Sequence, residues 1–481
     1  MQFYEALNNI MNAHGVRAVD VCNGSGLKRA YLSKLLKGNL IPSSYGIVER
    51  IIGSFSMTLD EKIMLTDAYQ MSVSSEENKK HWSSFRQAYS LDLSRVVVPE
   101  KTGKNELPCS GEVLTGEDAV ASALLSVLER AEGTLCLYFC AAEPETAERL
   151  AGCIKALPGE TDLSWVMPMN GESGSRENYS LMINSFTVFC TRPVTVMKQE
   201  EDIGVLLNAL FPFYLIADKA LLLFDSKLEK AQFFSDPAVI SLYRENFVNR
   251  TKSSVPFLSS FDKAEPVLRY LSSEMFRMET DLENVYYTVS NVPCIIFDIS
   301  TSDVQKYTVE QDEQSHDFAN MYLNFIANIA KISNMTIDIF SSYGLIDYLD
   351  NEEWYELGRH FSKSISKDFR RRMVRSSIEY ARSSPNYRSF AIKLPGFNSN
   401  AFLGMNVWTS GYMIFLYDFE DRSVVITAKD KGIAGSIVSY IRILQKHGLI
   451  ASKEETESYV DSVLNERMQE GHTDKLTEGK K

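Results

Sequence analysis

Through the first seventy residues, apolar positions recur every three to four residues, the period that buries one face of a helix. Phe3, Leu7, Ile10 and Met11 mark one side of a helix over Phe3–Ala13, and His14-Gly15 ends it, glycine being favoured just past a helix. Two short helical patterns then meet at Gly26. The first carries Val19, Val21 and Cys22; the second carries Leu27, Leu32, Leu35 and Leu36, with basic residues away from these apolar positions. Glycine suits a turn between two nearly perpendicular helices because its backbone tolerates positive φ. Pro42 keeps the next helix from simply continuing the last, and Ser43 or Ser44 is placed to cap it. Its apolar stripe is Ile47, Val48, Ile51, Ile52 and Phe55. Thr58-Leu59-Asp60-Glu61 has the spacing of a capping box and opens a fifth helix to about Tyr69. The pattern therefore predicts a compact all-α domain of five helices.

Beyond residue 70 the period changes. A helix with Trp82, Phe85 and Tyr89 near one face leads into a stretch rich in glycine, proline and charge, as linkers are. Helices and strands then alternate: helices at Glu117–Ala131, Pro144–Leu157 and Asp236–Phe247, strands at Thr134–Ala141, Asp162–Met167, Phe213–Ile216 and Ala220–Phe224. A second α/β passage has helices at Ala264–Met275, Ser315–Ile332, Trp354–Arg382 and Gly432–Gln445. Its strands fall at Asn291–Ile299, Arg388–Leu394, Tyr412–Tyr417 and Ser423–Thr427. The segments starting at Leu221 and Ile414 share one order: apolar strand, aspartate, charged turn, second strand, helix. This hints at two similar α/β units, although four extra residues must be admitted before the helices align. The expected organisation is a helical domain at 1–70, a connector at 71–115, α/β units at 116–258 and 259–460, and a polar helix and tail at 461–481.

Composition narrows the class. With 481 residues, 44% apolar and 23% charged, the chain can bury ample core in more than one domain. The longest apolar runs, Ala220–Phe224 and Pro293–Phe297, are far shorter than a bilayer span, and no secretory pattern opens the sequence, so a cytoplasmic address is expected. The seven cysteines are scattered, with no Cys-x-x-Cys pair, as ordinary buried thiols are. Of the net charge of −13, the first seventy residues contribute +1, from seven Lys/Arg against six Asp/Glu. Within 17–37, Arg17, Lys28, Arg29, Lys34 and Lys37 face only Asp20. An acidic body with one small basic face suits contact with a polyanion at a restricted place.

The spacing in that stretch carries a resemblance. Cys22, Gly26, Leu32 and Leu35 place a small residue, a glycine four later, and apolar residues six and nine beyond the glycine, with Val21 and Leu27 in further apolar slots. Gly38 and Pro42-Ser43 follow as a glycine and then a proline-serine pair. In these features residues 3–70 resemble the Cro/C1-type (XRE-like) helix-turn-helix family of DNA-binding domains. The family often has glutamine opening the second helix, where Ala18 stands. The resemblance implies a DNA-binding regulator of transcription. A helix of this kind enters the major groove with its N-terminal end against base edges, which here places Lys28, Arg29 and Ala30 there and Ser33 and Lys34 along the exposed face. Arg29 has the fork that reads guanine, and Ala30 suits a thymine methyl. Arg17, Lys37 and Asn39 are better placed for phosphates. Because one such helix covers half a site, a homodimer on double-stranded DNA is expected, with the α/β region holding the dimer or sensing an effector.

Other constellations are weaker. Lys363, Lys367, Arg371 and Arg375 recur every four residues, with Arg370 and Arg372 alongside; a solvated helix face explains them as well as an anion site does. The loop Asn170–Arg176 lacks the spacing of a phosphate-binding loop. Six dispersed histidines form no metal or catalytic motif, and Asp298 stands without a partner, so neither catalysis, a metal nor a cofactor is implied. Two alternatives stay open: an enzyme or signalling effector whose helix-turn-helix only tethers or autoregulates, and an assembly protein that uses the helical domain for protein contacts.

Overall fold

The computed structural model describes residues 1–100, 107–159, 161–171, 174–263, 284–294, 299–307, 334–354, 359, 362–397 and 401–478. It has two compact units, each discontinuous in sequence: Met1–Ser83 with Leu268–Trp408 and Val438–Lys481, and Ser84–Val267 with Thr409–Ile437.

The first unit opens with five helices: α1 (Phe3–Ala13), α2 (Ala18–Ser25), α3 (Arg29–Leu36), α4 (Tyr45–Ile52) and α5 (Leu59–Val73). Their core is Phe3, Leu7, Ile10, Val21, Leu32, Leu35, Tyr45, Val48, Ile51 and Leu65, all at or near complete burial. The Thr58 capping box is present, Glu61 N donating to Thr58 Oγ1 at 3.2 Å and Thr58 N to Glu61 Oε2 at 2.8 Å. Two expectations fail. Val19 is 42% exposed, because the short α2 turns Val21 and Ser25 inward and Val19 away. Ser44 holds the N-cap position of α4, but its hydroxyl bonds no first-turn amide.

After α6 (Glu76–Tyr89) the chain builds the second unit. In order come β1 (Val113–Thr115), α7 (Glu117–Leu128), β2 (Thr134–Tyr138), α8 (Pro144–Ile154) and β3 (Asp162–Met169), then α9 (Ser175–Asn184), α10 (Phe186–Thr191), β4 (Thr195–Glu200) and α11 (Ile203–Leu207). They continue as β5 (Phe213–Ile216), β6 (Leu221–Phe224), β7 (Lys230–Phe234), α12 (Pro237–Ser253) and β8 (Val255–Phe261). Strands β2, β3 and β4 are parallel, and β5, β6 and β7 add antiparallel on the far side of β2. Both β5 and β6 are buried at every position, which is why they read as unbroken apolar runs.

The chain then returns to the first unit through β9 (Val285–Ser290), α13 (Thr301–Tyr307), β10 (Met335–Ser341), α14 (Ser342–Asp350), α15 (Lys367–Ser383), β11 (Tyr387–Ile392) and β12 (Phe402–Trp408). Strands β9, β10 and β11 are parallel, and β12 is antiparallel to β9. Of the strand expected at Asn291–Ile299, residues 295–298 lie outside the described ones; the strand described just before it is β9, whose register comes from partners on β10 and β12. The helix expected from Trp354 begins at Lys367, where Ser366 Oγ accepts Phe369 N at 3.3 Å; Trp354 instead sits in the core beside Phe369. The expected helices at 264–275 and 315–332 lie outside the described residues. Last come β13 (Tyr412–Asp418) and β14 (Ser423–Lys429), antiparallel in the second unit, then α16 (Lys431–Lys446) and α17 (Lys453–Glu478).

The suspected repeat has a structural counterpart. Each described pairing among β9–β12, and that of β13 with β14, matches one among β2–β7 taken in chain order. Each hairpin has an aspartate where its first strand ends: Asp225, just past β6, accepts Glu229 N and Lys230 N on Oδ1, and Asp418, the last residue of β13, accepts Ser423 Oγ on Oδ1. The helix after each is capped by aspartate, Asp236 accepting Ala238 N and Asp430 accepting Ile433 N.

The core of the first unit also holds a carboxylate. Asp338 on β10 is fully buried, and its Oδ2 accepts from Ser389 Oγ at 2.7 Å, Tyr387 OH at 2.9 Å and Cys294 N at 3.1 Å. Its Oδ1 has no hydrogen-bond partner. Burial pushes the carboxyl up to about 6, against the lowering effect of the three donors.

Candidate nucleic-acid interface

The turn between α2 and α3 is set by two side-chain-free contacts. Gly26 adopts φ +66°, ψ 16°, and its N–H closes onto Cys22 O at 2.9 Å. A side chain would strain that left-handed backbone. Gly24 is needed for a different reason: a Cβ there would lie 2.5 Å from the Ser54 carbonyl oxygen, so α2 can approach the end of α4 only without one. Ser25 Oγ, buried, donates to Val21 O at 2.6 Å and accepts Leu27 N at 3.3 Å, satisfying amides across the turn.

With Leu32 and Leu35 fully buried, α3 turns its opposite side outward. Lys28, at the N-cap, is exposed with Arg29, Ala30 and Lys34, and Ser33 is half-buried between them. Lys37 and Asn39 are exposed just past the helix, where Gly38 N bonds Leu35 O at 3.0 Å and Asn39 N bonds Lys34 O at 3.0 Å. The eight residues expected to meet DNA therefore fall into one exposed basic group on α3 and the turn after it, with Arg17 apart from it at the start of α2. Arg17 already has a partner: Nε donates to Asp20 Oδ2 at 3.1 Å and Nη2 to Asp20 Oδ1 at 3.2 Å. That fork, foremost, holds the Asp20 carboxyl below the usual aspartate range. Its side chain remains 77% exposed.

Sequence reasoning missed the residues that hold α3 in place. Asn8 Nδ2 donates to Leu36 O at 2.8 Å and to Tyr4 O at 2.8 Å, stitching α1 to the end of α3. Gly38, at φ +71°, leaves room for the Tyr4 ring, which a Cβ would meet at 2.9 Å. Nothing local in the sequence distinguishes Asn8 from a surface asparagine, since its acceptor lies 28 residues away.

Of the basic stripe, Lys367, Arg371 and Arg375 lie on α15. Arg370 leaves the basic stripe and points inward, its guanidinium donating to Ile365 O at 2.6 Å and Leu349 O at 3.3 Å. Arg372 is paired with Asp303 at 2.8 Å. In the loop expected at Asn170–Arg176, residues 172–173 lie outside the described ones, and Asn170 is engaged by Asn178 and Glu177. Asp298 also lies outside them. Cys136, Cys140, Cys153, Cys190 and Cys294 are buried, and burial pushes the Cys153 thiol up to about 12. Among the described residues no group of His, Cys, Asp or Glu could hold a metal ion, and no helix is long and apolar enough to cross a membrane.

No protein-family model and no curated protein matches the sequence. Among solved structures, the chain is similar to TrmBL2, an archaeal chromatin protein whose structure shows a novel mode of DNA binding. The identity is 16% and the TM-score 0.23, over 38% of this chain and 65% of that one. It is also similar to a phosphatidylserine synthase of Haemophilus influenzae Rd KW20, at 8% identity and a TM-score of 0.25, over 83% of this chain and 99% of that one. At these scores neither likeness carries a functional inference.

Proposed function

We propose that the protein is a sequence-specific DNA-binding regulator of transcription, acting as a homodimer through a Cro/C1-like helix-turn-helix. The observation that carries this reading is the group Lys28, Arg29, Ala30 and Lys34, exposed at the start and along the outer side of a helix whose Leu32 and Leu35 are fully buried. Such a face can enter a major groove without unpacking its domain. Arg29 and Ala30 read base edges, Lys28, Ser33 and Lys34 line the groove, and Lys37, Asn39 and Arg17 bind phosphates, Arg17 by exchanging Asp20 for a phosphate oxygen. The acidic remainder of the chain repels DNA and confines contact to this face. The α/β region holds the dimer or senses an effector.

A binding-site selection with the full chain tests the reading. A two-fold symmetric consensus, with half-sites about one helical turn or a multiple apart, supports it. Recovery of no preferred sequence refutes it.

A further inference from the structure

In the first unit, the five-helix domain is anchored on the α/β residues around Gly448. His447 lies at the end of α16, and Gly448, at φ +80°, turns the chain so that the His447 carbonyl meets two helices. That oxygen accepts Tyr45 N at 3.2 Å, the first amide of α4, and Tyr69 OH at 3.2 Å, from α5. The His447 ring adds a third link, its Nδ1–H donating to Gln70 Oε1 at 3.2 Å. Gln70 is fully buried. A short distance away Lys393 Nζ pairs with Glu49 Oε2 at 3.0 Å. Gly396, at φ +75°, packs so tightly on Ile63 that a Cβ would sit 2.7 Å from its Cδ1.

These contacts fall on α4 and α5, away from the exposed face of α3. They reach α3 through the shared core, α1 being tied to the end of α3 by Asn8 and by the Tyr4 ring against Gly38. A helix-turn-helix joined to its body only by a flexible linker tolerates variable half-site spacing, whereas a fixed one does not.

We propose that His447, Gln70, Tyr69 and the Lys393–Glu49 pair are positioning residues that fix the recognition helix relative to the α/β part of its unit, so that the dimer reads the spacing between half-sites as well as their sequence. The proposal rests on the DNA-binding reading above, and it concerns geometry, not base contact.

The test uses the full chain and a triple variant, Gln70→Leu, Tyr69→Phe and Lys393→Ala. Each substitution removes one link and leaves the exposed face of α3 untouched. Affinities are measured for a selected site and for the same half-sites moved apart by one to four base pairs. Displacing a half-site by two base pairs turns it about 70° around the duplex, so the parent chain should lose at least about tenfold in affinity. The variant should lose less than about threefold across the same series. Lys393→Ala alone, a milder change at a half-exposed pair, should fall between. Without DNA, spin labels carried by non-natural amino acids at Asn23 and Arg388, both exposed, should give one narrow distance distribution in the parent chain and a broad one in the triple variant. A broad distribution in the parent chain overturns the proposal, and so do parallel spacing profiles. A narrow distribution in a chain that binds no duplex refutes the DNA-binding reading itself, and the proposal falls with it.

Discussion

Replacing Asp338 by asparagine isolates the cost of a buried carboxylate. Asparagine keeps an oxygen to accept from Ser389, Tyr387 and Cys294 N, and it puts an amide where Oδ1 has no partner. Burial raises the folded carboxyl from an ordinary 3.8 to about 6. Below 3.8 both folded and unfolded chains hold the proton, and the neutral acid's contribution is fully present. Between 3.8 and 6 the unfolded chain releases the proton while the folded one keeps it, so stability falls as pH rises, and above 6 the loss is complete. At about 1.36 kcal/mol per pH unit the whole loss is roughly 3 kcal/mol, of which about half falls between pH 5 and 8. Asparagine does not titrate, so Asp338→Asn removes this slope. Its amide leaves buried donors unpaired, a penalty of about 1–3 kcal/mol that does not change with pH. The difference in melting temperature, variant minus parent, should therefore rise by roughly 2–3 °C from pH 5 to pH 8. Scanning calorimetry of both full-length chains across that range measures it, and groups shared by the two cancel. A difference that stays flat with pH would show that the carboxyl titrates in the folded chain as it does in water.

Three further substitutions test the proposed DNA-binding face and its support. Arg29→Ala should relax selection at one guanine position by about 1–3 kcal/mol in a competition assay; an unchanged consensus removes Arg29 from base reading. Lys37→Ala should weaken all duplexes alike and lower the salt slope of binding by about one, and a loss confined to one sequence would contradict its phosphate role. Gly24→Ala forces a Cβ against the Ser54 carbonyl and should destabilise the helical domain by about 1–3 kcal/mol, seen as an earlier melting transition; an unshifted transition would mean that α2 and α4 can part freely.

Where the decisive interactions were local, the sequence was legible. The stripe of α1, the Thr58–Glu61 box and the αL turn at Gly26 each lie within a few residues, and periodicity and cap chemistry report them directly. The fully buried runs of β5 and β6 and the order shared by the two hairpins were readable for the same reason, as was the basic end of α3. Tertiary structure decided what depends on distant partners. Strand β9 takes its register from β10 and β12, well over forty residues on, and its own composition does not mark where it starts. The four-residue spacing of the basic stripe concealed that Arg370, one position off it, is turned inward by the carbonyls of Leu349 and Ile365. An aspartate inside a strand reads as solvent-facing until Ser389, Tyr387 and Cys294 N surround it. Asn8, which ties α1 to the end of α3, bonds a backbone carbonyl, and His447 meets α4 and α5 through its own backbone carbonyl. A backbone group is the same whatever residue carries it, so the sequence marks the exposed basic face of α3 and only the fold shows what keeps that face in place.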